Sequence, residues 1–208
     1  GEAQEILEKK IADLPVKGIH FVDSGNYHYM SLLWLKKVHT PFRLLVFDNH
    51  TDMQPPAFGG LLSCGGWAAE ALKALPFLQE LVLVGPDREA YEQTEEEIRN
   101  KVRFLSREDL QEMTEQEKKT FFEEISDNLP LYISVDKDVL RPGDAMTAWS
   151  QGDMSAEELE SYIRAVCRHQ SPAGMDVCGE CDAGEDGICN DRVNGMLLNV
   201  WEDWRDSH

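Results

Sequence analysis

Six short apolar runs separated by helical stretches decide what this chain can fold into. The runs are Gly18 to Val22, Arg43 to Phe47, Glu80 to Val84, Lys101 to Leu105, Leu131 to Val135 and Ala173 to Val177, each bounded by turn-forming residues, which is the mark of strands. Helical patterns fill the intervals at Tyr27 to Val38, Trp67 to Leu75, Arg88 to Asn100, Glu115 to Asn128, Ala156 to His169 and Asp191 to Trp204. An amphipathic helix with Ile6, Leu7, Ile11 and Leu14 precedes the first run and is closed by Pro15. Thr114 ahead of Glu117 and Ser155 ahead of Glu158 have the capping-box spacing. This alternation predicts an α/β fold, a three-layer α/β/α sandwich with a mostly parallel sheet, as one domain over residues 1–208. Ligands in such folds bind beyond the carboxyl ends of the strands, so the residues that follow each run are the functional candidates.

Two strand ends carry metal-binding side chains. Asp48-Asn49-His50-Thr51-Asp52 follows the run Arg43 to Phe47, and Asp136-Lys137-Asp138 follows Leu131 to Val135. Alternate positions of a strand share a face, so Asp48, His50 and Asp52 would point together, as would Asp136 and Asp138, with Lys137 directed oppositely. Four carboxylates on one sheet edge repel one another and have raised pKa values unless cations intervene. A third strand end, Asp23-Ser24-Gly25-Asn26-Tyr27-His28, opens a helix with His28 in its first turn. Alone, Asp48 to Asp52 would fit a capped strand end, and His28 a helix-terminal or buried hydrogen-bonding histidine. In company they form a ligand set. The Gly/Pro-containing pieces Gln54 to Gly66 and Arg141 to Gly152 directly follow the ligand segments and are expected to be active-site loops.

Composition narrows the partners. Asp and Glu number 39 against 20 Lys and Arg, a net charge of −19, and binding nucleic-acid phosphates needs a basic face. No apolar run reaches the roughly 18 residues of a membrane span, and no basic segment leads into an apolar signal-like core. A cytoplasmic protein with no nucleic-acid and no membrane partner is the expectation. The cysteines, Cys64, Cys167, Cys178, Cys181 and Cys189, are too few and uneven for a disulfide framework. The Cys178/Cys181 spacing with Cys189 beyond it could suit zinc or a redox pair, while reduced loop thiols are the plainer reading.

In these motifs the chain resembles the arginase and agmatinase group, the ureohydrolases. Gly25-Asn26-Tyr27-His28 is similar to the family's Gly-Gly-Asp-His turn, Asp48 to Asp52 to its Asp-Ala-His-x-Asp, and Ser134 to Asp138 to its Ser-x-Asp-x-Asp. The resemblance spans residues 18 to 182 and implies an arginase/deacetylase-like fold with a binuclear manganese centre. One ion would be held by His28, Asp48, Asp52 and Asp136, the other by His50, Asp48, Asp136 and Asp138, with Asp48 and Asp136 bridging. Two ions about 3.5 to 4 Å apart can share and activate one water as a bridging hydroxide. A carboxylate and imidazole shell favours Mn²⁺, with Zn²⁺ or Fe²⁺ the other possibilities. Asp52 and Asp138 would thus serve catalysis as ligands. Glu180 resembles the family's late glutamate that faces the guanidinium group of a small cationic substrate, and a solvated loop glutamate is its plainer reading. Related enzymes assemble as oligomers, which makes a homo-oligomer an expectation.

Two departures bear on function. Ureohydrolases place a proton-shuttling histidine in the loop after Asp-x-His-x-Asp, whereas this chain has none between His50 and His169 and offers Cys64 near that place. A thiol of suitable pKa could move the proton; a small packed cysteine is the alternative. The family also has a further strand–helix layer ahead of its first ligand turn, so the sheet should be smaller here. The leading expectation is hydrolysis of linear carbon–nitrogen bonds in a guanidino or amidino compound. A deacetylase-like amidohydrolase ranks lower, because its histidine pair is missing. A metal-binding but catalytically silent regulatory or scaffold protein is the remaining alternative.

Overall fold

The computed structural model describes residues 2–55, 61–125, 129–168, 172–182, 185 and 187–207. Six strands, β1 (Ile19–Phe21), β2 (Phe42–Phe47), β3 (Leu78–Val84), β4 (Val102–Leu105), β5 (Leu131–Asp136) and β6 (Pro172–Cys178), form one sheet in the order β1-β6-β5-β2-β3-β4. Every pairing is parallel, so all six carboxyl ends lie along one edge. The helices are α1 (Glu2–Ile11), α2 (Met30–Leu35), α3 (Trp67–Ala74), α4 (Arg88–Glu92), α5 (Glu96–Arg99), α6 (Arg107–Glu112), α7 (Glu115–Ile125), α8 (Ala156–Cys167) and α9 (Ile188–Ser207).

Alternation along the strands sorts the core into two layers. Leu45, Phe47, Val82, Val84, Ile133 and Val135 pack on one face with Phe122 of α7, Leu159 and Ile163 of α8, and Leu197 of α9. Leu44, Val46, Leu81, Leu83 and Tyr132 pack on the other with Leu32 of α2, Trp67 and Ala71 of α3, and Ile98 of α5. Both faces are covered, so strands β2 and β5 are buried along their whole length, as parallel sheets require.

All six expected strands form. The helical stretch expected over Arg88 to Asn100 is divided into α4 and α5. The Thr94 hydroxyl donates to the Tyr91 carbonyl at 2.7 Å, and Glu95 turns extended at ψ 130 before α5 begins, which is the local competition that threonine offers a helix. Helix α6 was not foreseen, although Ser106 and Asp109 close a capping box at its start. The foreseen box of Ser155 and Glu158 caps α8. The expected last residues of the seventh and eighth helices, Asn128 and His169, lie outside the described residues, as do 56–60 of the loop Gln54 to Gly66.

Candidate metal centre

From β2 the sheet continues to β3 and β4, and from β5 it continues to β6 and β1 on the opposite side. Connections leaving β2 and β5 therefore diverge, and the crevice between them is where parallel sheets bind ligands. Phe47 pairs with Val135, so the next residues, Asp48 and Asp136, emerge side by side.

Beyond Phe47 the chain leaves the strand, so the ligand side chains converge through a turn rather than through the alternation of a continuing strand. Asp48 Oδ1 accepts from the His50 amide at 2.6 Å, and Asp52 adopts φ 50, a left-handed conformation that aspartate tolerates better than most residues. On β5, Asp136 Oδ1 accepts from the Asp138 amide at 3.0 Å, and Asp138 Oδ1 accepts from the Asn49 amide at 2.9 Å, tying the two strand ends together.

His28 enters from the turn Gly25–Tyr27 rather than from a long helix. A Cβ at Gly25 would stand 2.8 Å from Asp136 Oδ2 and 3.2 Å from Trp149, so glycine lets the turn approach. His28 Nδ1 lies 3.1 Å from Asp48 Oδ2, 3.0 Å from Asp52 Oδ2 and 3.6 Å from Asp136 Oδ2. Its Nε2 is 2.9 Å from Ser134 Oγ, which donates to Asp176 Oδ1 at 2.6 Å; Ser31 donates to the same oxygen at 2.9 Å. This buried chain holds the ring with Nδ1 toward the carboxylates. His50 Nδ1 is 2.8 Å from Asp138 Oδ2 and 3.5 Å from Asp48 Oδ1, with Nε2 3.0 Å from Ser150 Oγ. Trp67 Nε1 donates to Asp52 Oδ2 at 2.7 Å.

Burial pushes Asp136 and Asp138 up from the carboxylate range, and the neighbouring carboxylates add to it. The hydrogen bonds to Asp138 and Asp48 raise His50 to about 11. For His28, burial opposes the charged ring, yet the neighbouring Cys178, Asp48 and Asp52 outweigh it and hold the ring well above its ordinary value.

These residues fit divalent cations. His28 Nδ1 and Asp48 Oδ2 are buried without a hydrogen-bond partner although they face each other, as expected of two lone pairs aimed at a common cation. Donor atoms of His28, Asp48 and Asp52 lie within 4.8 Å of one another, as do those of Asp48, His50 and Asp138 and those of His28, Asp136 and Cys178. Two of these groups share Asp48 and two share His28.

A profile of the arginase family matches residues 9–181. The chain belongs to the arginase family. This arginase-family chain is 33% identical over 165 residues to an uncharacterized protein of Thermotoga maritima, an alignment covering 79% of the chain and 59% of that protein. Its fold matches that of a hypothetical agmatinase from Burkholderia thailandensis with TM-score 0.75 at 20% identity, over 99% of the chain and 64% of the agmatinase. It also matches a formiminoglutamase from Trypanosoma cruzi solved with Mn²⁺, with TM-score 0.72 at 15% identity, over 96% of the chain and 70% of that protein. The chain thus spans less than two thirds of the length of the first two.

Within this arginase-family site, five of the six expected ligands, Asp48, His50, Asp52, Asp136 and Asp138, line a cleft of about 380 Å³ together with Cys64, Trp149 and Arg107, and the sixth, His28, is buried against Asp48 and Asp52. Cys64 opens the turn that leads into α3; burial pushes its thiol up, and the Asp52 carboxylate adds to the effect. Glu180, expected to face a cationic substrate, is not among the residues that line this cleft. Its carboxylate is paired with the fully buried Lys137 and accepts from Asn190 and Asn194 at 2.9 Å each. Lys137, in the turn Lys137–Val139, gives its ammonium to Glu180 and Asn194 rather than to the candidate ligands. Sequence reasoning missed the supports Ser31, Asp176 and Trp67, took Ser134 only as part of a motif, and weighed Cys178 for zinc only in company with Cys181 and Cys189. A polar Ser134 and Asp176 inside otherwise apolar runs were the available signal, since buried polar groups need partners. Cys181 and Cys189 join no metal-capable group among the described residues.

Proposed function

We propose that the chain hydrolyses a linear carbon–nitrogen bond of a guanidino or amidino compound with two divalent ions, Mn²⁺ being the first choice for a carboxylate and imidazole shell. His28, Asp48, Asp52 and Asp136 would hold one ion; His50, Asp48, Asp136 and Asp138 would hold the other. When bound, such a pair supplies an activated water and Lewis acidity to the amidino carbon. The observation that carries this reading is the sharing of Asp48 between two donor groups at the base of one cleft.

The remaining work falls to the chain's own groups. Asp87 adds a carboxylate to the cleft wall, and the chain's charge of −19 favours the approach of a small cation. Addition of water to the amidino carbon is followed by cleavage to the amine, whose nitrogen must gain a proton. Cys64 lines the cleft and is our candidate to give that proton, although burial raises its thiol and so weakens it as an acid. Among the described residues no helix is long and apolar enough to cross a membrane.

The test is metal content on protein purified without chelator and again after Mn²⁺ loading, followed by urea and ammonia release over a panel of guanidines and amidines. Two ions per chain with turnover is the expected result. One ion or none overturns the binuclear reading, and two ions with no turnover across the panel would favour a silent metal-binding relative. Cys64→Ser should lower kcat with metal content unchanged; an unchanged kcat would leave Cys64 as packing.

A further inference from the structure

The metal centre holds a donor outside the ligand pattern. Cys178, the last residue of β6, is 1% exposed, with its Sγ 3.2 Å from Asp136 Oδ2. Sheet register puts it there. Asp136 pairs with Cys178 across β5 and β6, as Phe47 pairs with Val135 across β2 and β5, so Asp48, Asp136 and Cys178 emerge in one row at the carboxyl edge. Gly179, at φ +89, closes that row: a Cβ there would stand 2.4 Å from Asp136 Oδ1 and 2.7 Å from the Lys137 nitrogen.

Donor atoms of His28, Asp136 and Cys178 lie within 4.8 Å of one another. Atoms bound to one ion, at about 2.1 Å for nitrogen or oxygen and about 2.3 Å for sulfur, stand roughly 3.0 to 3.6 Å apart in tetrahedral or octahedral geometry. The sulfur-to-oxygen separation of 3.2 Å and the His28 Nδ1 to Asp136 Oδ2 separation of 3.6 Å fall in that range. The buried, unpartnered Nδ1 of His28 is a second, independent sign that an ion belongs beside this sulfur.

We propose that Cys178 is a ligand of the ion on the His28 side, and that its sulfur makes this position prefer a thiophilic ion such as Zn²⁺ or Fe²⁺ over Mn²⁺. The His50 side keeps only nitrogen and oxygen donors, so the two positions differ in softness. Binding breaks the S–H bond, forms the sulfur–metal bond and releases the proton to solvent. This inference rests on the metallohydrolase reading above, and its test separates the two.

Protein stripped of metal is reloaded with Co²⁺ for absorption spectroscopy and, separately, with Zn²⁺ for X-ray absorption. The expected results are a near-ultraviolet sulfur-to-cobalt charge-transfer band and a sulfur scatterer at about 2.3 Å from zinc. The band should vanish in Cys178→Ser and survive in Cys64→Ser. Cys178→Ser should also weaken Zn²⁺ relative to Mn²⁺ by at least the ~10-fold that loss of even an outer-shell partner costs. Two bound Co²⁺ ions with neither band nor sulfur scatterer would overturn the role of Cys178 and leave the hydrolase standing, as would a band lost only in Cys64→Ser. Failure to bind any metal would overturn both. The wild-type scattering measurement decides the question even if Cys178→Ser does not fold.

Discussion

Lys137 is fully buried between the candidate ligands Asp136 and Asp138 in the chain, yet its charge is answered by Glu180. Glu180→Ala would leave that ammonium, among the described residues, with Asn194 Oδ1, 3.2 Å away, and breaking a buried pair in this way costs about 3 kcal/mol. Urea unfolding should register that loss; an unchanged midpoint would show that the pair contributes nothing net. Asp136→Ala should do the opposite. It removes a buried carboxylate that its neighbours oppose, so the metal-free fold should hold or gain stability while metal binding collapses, as equilibrium dialysis would show. At this scale the six candidate ligands were legible, because Asp48, Asp136 and His28 each follow an apolar run at a strand end. The roles of Ser134, Asp176 and Cys178 were not, because they lie in register: the polar residues stand out within apolar runs, but that Ser134 meets Asp176 and Asp136 meets Cys178, across strands 42 residues apart, is not written in local sequence.

The turn Gly25–Tyr27 and the segment Asp48 to Asp52 do more to aim the ligands than any regular element. Gly25→Ala would push a methyl group to within 2.8 Å of Asp136 Oδ2, so it should weaken metal binding by ~10–100-fold, the range for disturbed outer-shell support, with little change in the melt of the metal-free protein. Equal metal affinity in Gly25→Ala would show that the turn yields without cost. Strands were legible at this scale because each is a short apolar run between turn residues. The break between α4 and α5 was not, since it depends on the Thr94 hydroxyl choosing the Tyr91 carbonyl over solvent. Likewise the convergence of Asp48, His50 and Asp52 was foreseen, but its cause is a turn with Asp52 at positive φ, which residue alternation cannot reveal.

Across the whole molecule, the site's charges make stability depend on pH. In the metal-free protein His50 is raised from 6.5 to about 11, so its contribution is complete below pH 6.5 and is lost as pH climbs toward about 11. Asp136 and Asp138, raised from 3.8, act in the same direction, because the folded form binds more protons than the unfolded chain. Chelator-treated protein should therefore melt at lower temperature as pH rises above 6.5, whereas metal, competing with those protons, should bind more tightly. Thermal melts at several pH values with and without Mn²⁺ would check this, and a metal-free melt indifferent to pH would contradict it. Sheet order has a consequence for how the chain is made. β1 and β6, the first and sixth of the described strands in chain order, are sheet neighbours, and His28 follows the turn after β1. A chain that ends before Pro172 thus carries all six candidate ligand residues but lacks the strand on which β1 pairs, so the anchoring of the His28 turn is completed only once β6 has been made.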